Sequence, residues 1–198
     1  MRLPIKTRNQ PCVDRTSAMN DNSGTTIDPQ RFRDLMAGVC APVTVVTTLD
    51  DAEPYGATVS SFASLSLDPP LVTIALDNRS ALLAHILRVS KFGVNLLSHD
   101  QADLATLFAR RDADRFADIT WYLDHGIPRL KGAPGWMVCG VHDVVAGGDH
   151  QLILGRVESA SRAELPPLIY AHRTFGTHSR YDQRARPLIV DQIAAYLR

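Results

Sequence analysis

The chain lacks most of the signatures that commit a sequence to a familiar class. It has three cysteines in 198 residues, Cys12, Cys40 and Cys139. No two form a C-x-x-C pair, so neither a zinc site nor a thioredoxin-type dithiol is written here. An odd count in a chain this long argues against a disulfide framework and for a reducing, cytoplasmic compartment. Charge of either sign is not in surplus: 21 Lys+Arg meet 21 Asp+Glu. Gripping nucleic acid through its phosphates needs an excess of Lys and Arg, and none is present. No stretch approaches the ~18 consecutive apolar residues of a membrane helix. The opening MRLPIKTRNQPCVDRTSAMN is basic but has no apolar core, so it does not read as a secretory signal. No G-x-G-x-x-G follows a candidate strand and no G-x-x-x-x-G-K-[ST] occurs, so a nucleotide would not bind through a Rossmann unit or a P-loop. No G-x-S-x-G elbow marks a hydrolase. The histidines His85, His99, His125, His142, His172 and His178 do not fall at metal-ligand spacing with Asp, Glu or Cys.

What is present is ordinary globular material. Hydrophobic residues make up 45% and charged residues 21%, too apolar for wholesale disorder. The length suits one domain with a full core. Residues 1–26 are polar and aperiodic and read as a disordered or loosely packed extension, with Met19 a plausible second start. Asp28 followed by Pro29 has the pattern of a helix N-terminus. The helix predicted over 29–39 sets Phe32, Leu35, Met36 and Val39 on one stripe. Strands are predicted over 43–48, 55–61, 71–76, 92–97, 121–123, 135–145 and 151–161. Asn78 or Ser80 is placed to cap a helix carrying Leu82, Leu83, Ile86 and Leu87, and Ser98-x-x-Gln101 has capping-box spacing for a helix through Phe108. Residues 187–198 have the spacing of a small amphipathic helix. About seven strands, several joined as hairpins, against three or four helices point to a mainly β architecture with flanking helices rather than a doubly wound parallel sheet.

Four stretches have the composition of a site. Thr58-Val59-Ser60-Ser61-Phe62-Ala63-Ser64-Leu65-Ser66 ends in Leu67-Asp68-Pro69-Pro70 and is dense in hydroxyls. Small residues expose backbone donors and acceptors, and hydroxyls add uncharged ones, which suits the edge of a heteroaromatic ring or a phosphate. The alternative is a strand end whose hydroxyls bond locally. Gly147-Gly148-Asp149-His150 is either a plain turn or a hairpin tip that presents His150. Residues 168–176 (LIYAHRTFG) mix aromatic, imidazole and guanidinium groups, fit for a nucleotide or for an oligomer interface. Arg110, Arg111 and Arg115 are interleaved with Asp112 and Asp114, as in either a phosphate-reading cluster or a self-paired loop.

Taken in order, these stretches resemble the short-chain flavin reductases, the reductase components of two-component flavin-dependent monooxygenases. The resemblance runs from about residue 27 to about 177. It rests on Phe32-Arg33-x-Leu35-Met36, VTVVTT (43–48), ATVSSFASLSLDPPLV (57–72), FGVNLLS (92–98), GGDHQLILGRVE (147–158) and LIYAHRTFG. It implies an FMN-binding split β-barrel with Greek-key strands over 27–180, followed by a tail at 181–198. It also implies a homodimer that passes a hydride from NADH or NADPH, NADH being weakly preferred, to FMN or FAD and releases reduced flavin to a monooxygenase. By position it implies that Thr58, Val59, Ser60 and Ser61 line the isoalloxazine edge, while Ser64 and Ser66 approach the ribityl or phosphate end. Asn78, Arg79 and Ser80 would reach the phosphate, with Phe108 and Arg115 also near the flavin. His150 would position the nicotinamide, and Tyr170, His172 and Arg173 would help hold the pyridine nucleotide. No acid–base residue or metal is required, because the cofactors supply the reactivity. Ala41-Pro42 departs from the family's Thr-Gly or Ser-Gly, which removes a backbone N–H that could serve the flavin. Two other readings stay open: a split barrel with tightly bound flavin doing its own oxidation or sensing, and a non-enzymatic barrel for a hydrophobic ligand.

Overall fold

β-Branched and alternating stretches become strands wherever the computed structural model describes the chain, at residues 27–110 and 114–178. In chain order the elements are α1 (Pro29–Ala37), β1 (Ala41–Pro42), β2 (Thr44–Asp50), β3 (Glu53–Val59), β4 (Ala63–Leu67), β5 (Pro70–Asp77), α2 (Ala81–Val89), β6 (Lys91–Leu96), α3 (Ala102–Ala109), β7 (Trp121–Asp124), β8 (Ile127–Leu130), β9 (Gly135–Gly147), β10 (His150–Arg162), β11 (Ile169–Ala171) and β12 (Thr174–Gly176). The seven predicted strands are all found. Five more, β1, β4, β8, β11 and β12, are two to five residues long. Strands that short carry too little alternation to be read from sequence. The expectations for residues 1–26 and 181–198 fall outside the described residues.

One seven-stranded antiparallel sheet, in the order β3-β2-β6-β9-β10-β5-β4, carries the fold; β1-β11-β12 and β7-β8 form two smaller sheets. Its outer strands β3 and β4 do not pair with each other, so the ladder stays open. Strand β2 explains the VTVVTT run. It is buried along nearly its whole length, and successive side chains enter opposite cores. Val46 joins the cluster under α2, with Ile74, Leu82, Leu83, Ile86, Phe92 and Ile153. Val45 joins the cluster under α3, with Val43, Leu97, Ala105, Phe108 and Leu130. The buried threonine hydroxyls are all spent on backbone carbonyls: Thr44 on Val59 at 2.7 Å, Thr47 on Pro128 at 2.6 Å and Thr48 on Lys91 at 2.7 Å. Asn95, also buried, donates to the Val45 carbonyl and accepts from the Leu130 N–H. A buried polar group left unpaired would cost about 1–3 kcal/mol, so these bonds make the polar strand faces tolerable.

The helix termini follow local chemistry. The Asp28 carboxylate accepts from the Arg31 N–H at 3.0 Å, and Ser80 rather than Asn78 caps α2. At Ser98-x-x-Gln101 only half of the predicted box forms. The Gln101 side chain accepts from the Ser98 N–H at 3.0 Å, but the Ser98 hydroxyl turns to Asp100, and the helix starts after a turn at Gln101. Helix α1 ends at Ala37, two residues short of the prediction, so Val39 lies past it, and the predicted apolar stripe is not covered: Phe32, Leu35, Met36 and Val39 are 46–67% exposed. The helix is held instead by its polar edge and its C-terminus. Asp34 pairs with Arg173 at 2.5 Å, and the His172 N–H donates to the Ala37 carbonyl.

A charged knot locks the β2–β3 hairpin to α2. Asp50, whose side chain is almost wholly buried, lies 2.7 Å from His85 Nδ1 and accepts from Arg88 Nε at 2.7 Å; Arg88 also reaches Asp51. The His85 ring stacks on Tyr55 at 3.5 Å. Burial alone would raise the Asp50 pKa, but the bonds from His85 and Arg88 outweigh it and hold the carboxyl below its ordinary value of 3.8. A carboxylate depressed in the folded state contributes stability above its unfolded pKa and loses it as pH falls through the folded one. Acid unfolding titrations of the wild type and Asp50→Asn should therefore differ in slope below about pH 4, with the variant less stable near neutrality and flatter in acid; parallel curves would remove Asp50 from the acid limb.

Candidate functional site

The chain leaves the sheet's edge at the end of β3 and joins the opposite edge as β4 through residues 60–62. In that crossing the Ser61 hydroxyl donates to the Ala75 carbonyl and accepts from the Ala75 N–H, both at 2.9 Å. Ala63 already pairs with Thr73, so Ser61 continues the β4–β5 register with a side chain in place of a backbone. The two edges are thus drawn together without closing. An open cleft of about 590 Å³ remains between them, within the range of small-molecule sites.

Four elements build its walls. Thr58, Val59, Ser60 and Ser61 come from the end of β3, and Asp77 from the end of β5. Arg79, Ser80 and Leu82 come from the start of α2, while Arg115 and His150 close it. The structure therefore brings together eight of the predicted residues: Thr58, Val59, Ser60, Ser61, Arg79, Ser80, Arg115 and His150. The helix start adds a partial positive charge at that wall.

The hydroxyls do not share one role. Thr58 donates to the Ala105 carbonyl at 2.6 Å, tying β3 to α3, and Ser61 is spent on Ala75. Ser60 is exposed and has no hydrogen-bond partner among the described residues. Local bonding and an available ligand edge, the two readings of this stretch, thus both occur, at different positions.

The charged groups are already partnered. Arg79 clasps Asp77 with Nε at 3.1 Å and Nη2 at 2.9 Å, and its backbone N–H donates to the same carboxylate at 2.8 Å. The Arg79 side chain and then its N–H hold the Asp77 carboxyl far below the usual carboxylate range. Arg115 donates Nη1 to the Gly56 carbonyl at 2.6 Å, and Nε and Nη2 to the Arg110 carbonyl; it fastens its own loop onto β3. Partial burial lowers its pKa. His150 Nδ1 lies 2.7 Å from Asp149 Oδ1, with the ring half exposed toward the cleft. Its strand position faces Asp77 across the β5–β10 ladder.

Several predicted residues sit elsewhere. Asn78 does not line the cleft. Its N–H and side chain hold the 147–150 turn through Asp149 and Gly148, and it accepts from Gln151. Ser64 and Ser66 lie on β4 outside the lining, on either side of a register shift. Phe108 is fully buried beneath β3: a Cβ on Gly56 would lie 2.7 Å from its ring, so only glycine lets α3 pack this close. Tyr170, His172 and Arg173 belong to the β1-β11-β12 sheet. Tyr170 packs on Phe175, while His172 and Arg173, both at positive φ, form the β11–β12 turn beside α1. Ala41 and Pro42 are in this sheet too, opposite Tyr170 and Ile169. Sequence reading missed Asp77, an unremarked strand end. It also missed a side hollow of about 170 Å³ walled by Tyr55, Leu82, Arg115 and Phe116; those side chains lie on elements far apart in sequence.

Residues 36–179 match the family model described as flavin reductase like domain. The chain is 42% identical over 147 residues to a reductase subunit of a flavin-dependent monooxygenase from Rhodococcus jostii, covering 73% of this chain and 75% of that one. It is 38% identical over 164 residues to an NADH:riboflavin 5′-phosphate oxidoreductase of Streptomyces pristinaespiralis, covering 80% and 93%. Among solved structures it is similar to an NADH:FAD oxidoreductase of Streptomyces globisporus in complex with NAD and FAD fragments, with a TM-score of 0.72 and 30% identity over 82% of this chain and 97% of that one. The mainly β fold with flanking helices, expected from the split-barrel resemblance, is borne out.

The division among the hydroxyls can be measured. Thr58→Val should lower unfolding stability by about 1 kcal/mol, the worth of a lost hydrogen bond. Ser60→Ala should leave stability within about 0.5 kcal/mol and weaken ligand binding in the cleft. Denaturant midpoints in the reverse order would overturn the assignment.

Proposed function

The chain belongs to the flavin reductase-like family, and on that premise we propose that it is an NAD(P)H:flavin oxidoreductase that moves a hydride from NADH to FMN or FAD and supplies diffusible reduced flavin to a partner monooxygenase. The observation that carries this reading is the cleft itself. One wall is a neutral strand end with an unspent hydroxyl, Ser60. The other wall has an arginine, a helix N-terminus and, across the ladder from Asp77, an imidazole. That donor set suits a flat heteroaromatic ring with a phosphate at one end. FMN and FAD, the flavins named for relatives, both supply such a ring, which accepts the hydride when bound.

The chain's own work is positioning. In this reading the 58–61 backbone and Ser60 align the flavin edge, and Arg79 and Ser80 meet its phosphate. Arg115 keeps the 114–116 segment against β3, so that its side of the cleft is preformed. Asp149 orients the His150 ring, which bears on the nicotinamide. Holding two rings at reacting distance supplies much of the rate in such a transfer, which accounts for a cleft built from fixed polar groups. The catalytic unit is 27–180, with 1–26 and 181–198 as flanking segments, and the unpaired thiols Cys40 and Cys139 accord with a reducing cytoplasm.

We also infer a homodimer. A stripe of four large apolar side chains half in water, three on α1 and Val39 just past its end, on a helix held by its other edge and its C-terminus, is a surface that association would cover. In such a dimer Tyr170, His172 and Arg173, which flank α1 rather than their own chain's cleft, are offered to the partner's cleft and its pyridine nucleotide.

Three experiments bear on these readings. NADH oxidation by the purified protein should be saturable and should depend on added FMN or FAD, with NADPH the poorer donor; no oxidation under any of these conditions would sink the assignment. His150→Ala should raise KM for NADH about tenfold, or ~1.4 kcal/mol, while leaving the flavin Kd nearly unchanged. Light scattering should give a dimer for the wild type and a monomer for Leu35→Asp; a dimer in both removes α1 from the interface.

A further inference from the structure

Among the described residues, Arg79 and His150 on the cleft each face a carboxylate, whereas Arg115 is held by backbone carbonyls, and the pairing at Arg79 has a consequence for ligand exchange. The Arg79 side chain is 83% exposed and, among the described residues, bonds only to Asp77, through its Nε–Nη2 edge. That edge is one of the two planar donor pairs a guanidinium offers a phosphate, and the carboxylate on it offsets the charge that either pair presents. Asp77 is not free to swing aside, because one of its oxygens also accepts from the Arg79 N–H. Arg115 is committed to two carbonyls, and Asp149 adds a second negative charge that acts on Arg79. A phosphate that engages the exposed Arg79 at the start of α2 therefore meets a cation already paired with Asp77. It must share or displace an internal carboxylate, and then lies beside that carboxylate's charge.

We propose that Asp77 competes with the flavin phosphate for Arg79, so that the phosphate is recognised but adds little to affinity and the flavin stays exchangeable. This rests on the flavin reading of the cleft and goes beyond it by naming what sets release. Asp77 is a positioning residue: it touches neither ring and acts through the guanidinium. The logic fits a protein that hands its product on, because a phosphate clamped by an unopposed arginine would retain reduced flavin as well as oxidised flavin.

The test compares FMN with riboflavin, which has the same ring and no phosphate. Dissociation constants would be measured by flavin fluorescence for the wild type, Asp77→Asn and the double variant Asp77→Asn/Arg79→Gln. Asparagine keeps the oxygen that accepts from the Arg79 N–H and removes the charge. In the wild type, FMN should bind less than about tenfold tighter than riboflavin. Asp77→Asn should tighten FMN about fivefold, the scale of an exposed ion pair removed from competition, and leave riboflavin unchanged. The double variant should lose that gain. An FMN preference above about a hundredfold in the wild type would overturn the proposal even if the variants failed to fold. So would Asp77→Asn tightening riboflavin as much as FMN, or weakening FMN. Failure of the wild type to bind either flavin would instead remove the flavin reading itself, and the proposal with it.

Discussion

The pair of hydrogen bonds between Ser61 and the backbone of Ala75 is the constraint on which the site depends. An antiparallel sheet with two free edges either closes into a barrel or leaves unpaired edges in water. Here the chain passes from one edge to the other over three residues, and a single side chain stands where the next ladder partner would be. A hydroxyl satisfies the donor and the acceptor of Ala75 but cannot extend the ladder. The edges meet at one point and diverge from it, and the cleft occupies the divergence. Thr58, one turn of the pleat earlier, anchors the same strand end to α3, so the wall that faces the ligand is rigid on both sides of Ser60.

Electrostatics divides the cleft into a neutral wall and a compensated one. The strand end contributes hydroxyls and backbone without charge. The wall at the start of α2 contributes Arg79 paired with Asp77 and, beside it, His150 paired with Asp149, while Arg115 is held against β3 by backbone carbonyls. Such compensation keeps the cleft from acting as a strong anion trap, in keeping with the chain's zero net charge.

Legibility followed element length. VTVVTT was readable because it is β-branched throughout and long enough to show burial on both faces, and Asp28-Pro29 because an N-cap carboxylate and a proline act within one turn. Within the site, residues 58–61, Arg79, Ser80, Arg115 and His150 were found through composition and family resemblance, since each sits in a stretch whose chemistry is unusual on its own. Ser64 and Ser66 belong to the same hydroxyl-rich stretch, yet the crossing to the other edge carries them out of the cleft. Asn78 was legible as a polar turn residue but not as the clamp on the 147–150 hairpin, because its partners lie some seventy residues away.

By itself the sequence determined the class of the protein: a mainly β chain without metal or dithiol signatures, carrying hydroxyls at one strand end and a Gly-Asp-His turn. Those properties are local, set by periodicity, β-branching and turn residues within a few positions. Only the tertiary structure decided which hydroxyl is free and which are spent, that Asp77 holds Arg79, and that the apolar stripe of α1 is left uncovered. Each of these depends on which distant groups arrive within hydrogen-bonding or packing distance. Because a polar group's availability is what remains after its neighbours are satisfied, it exists only once the chain has folded.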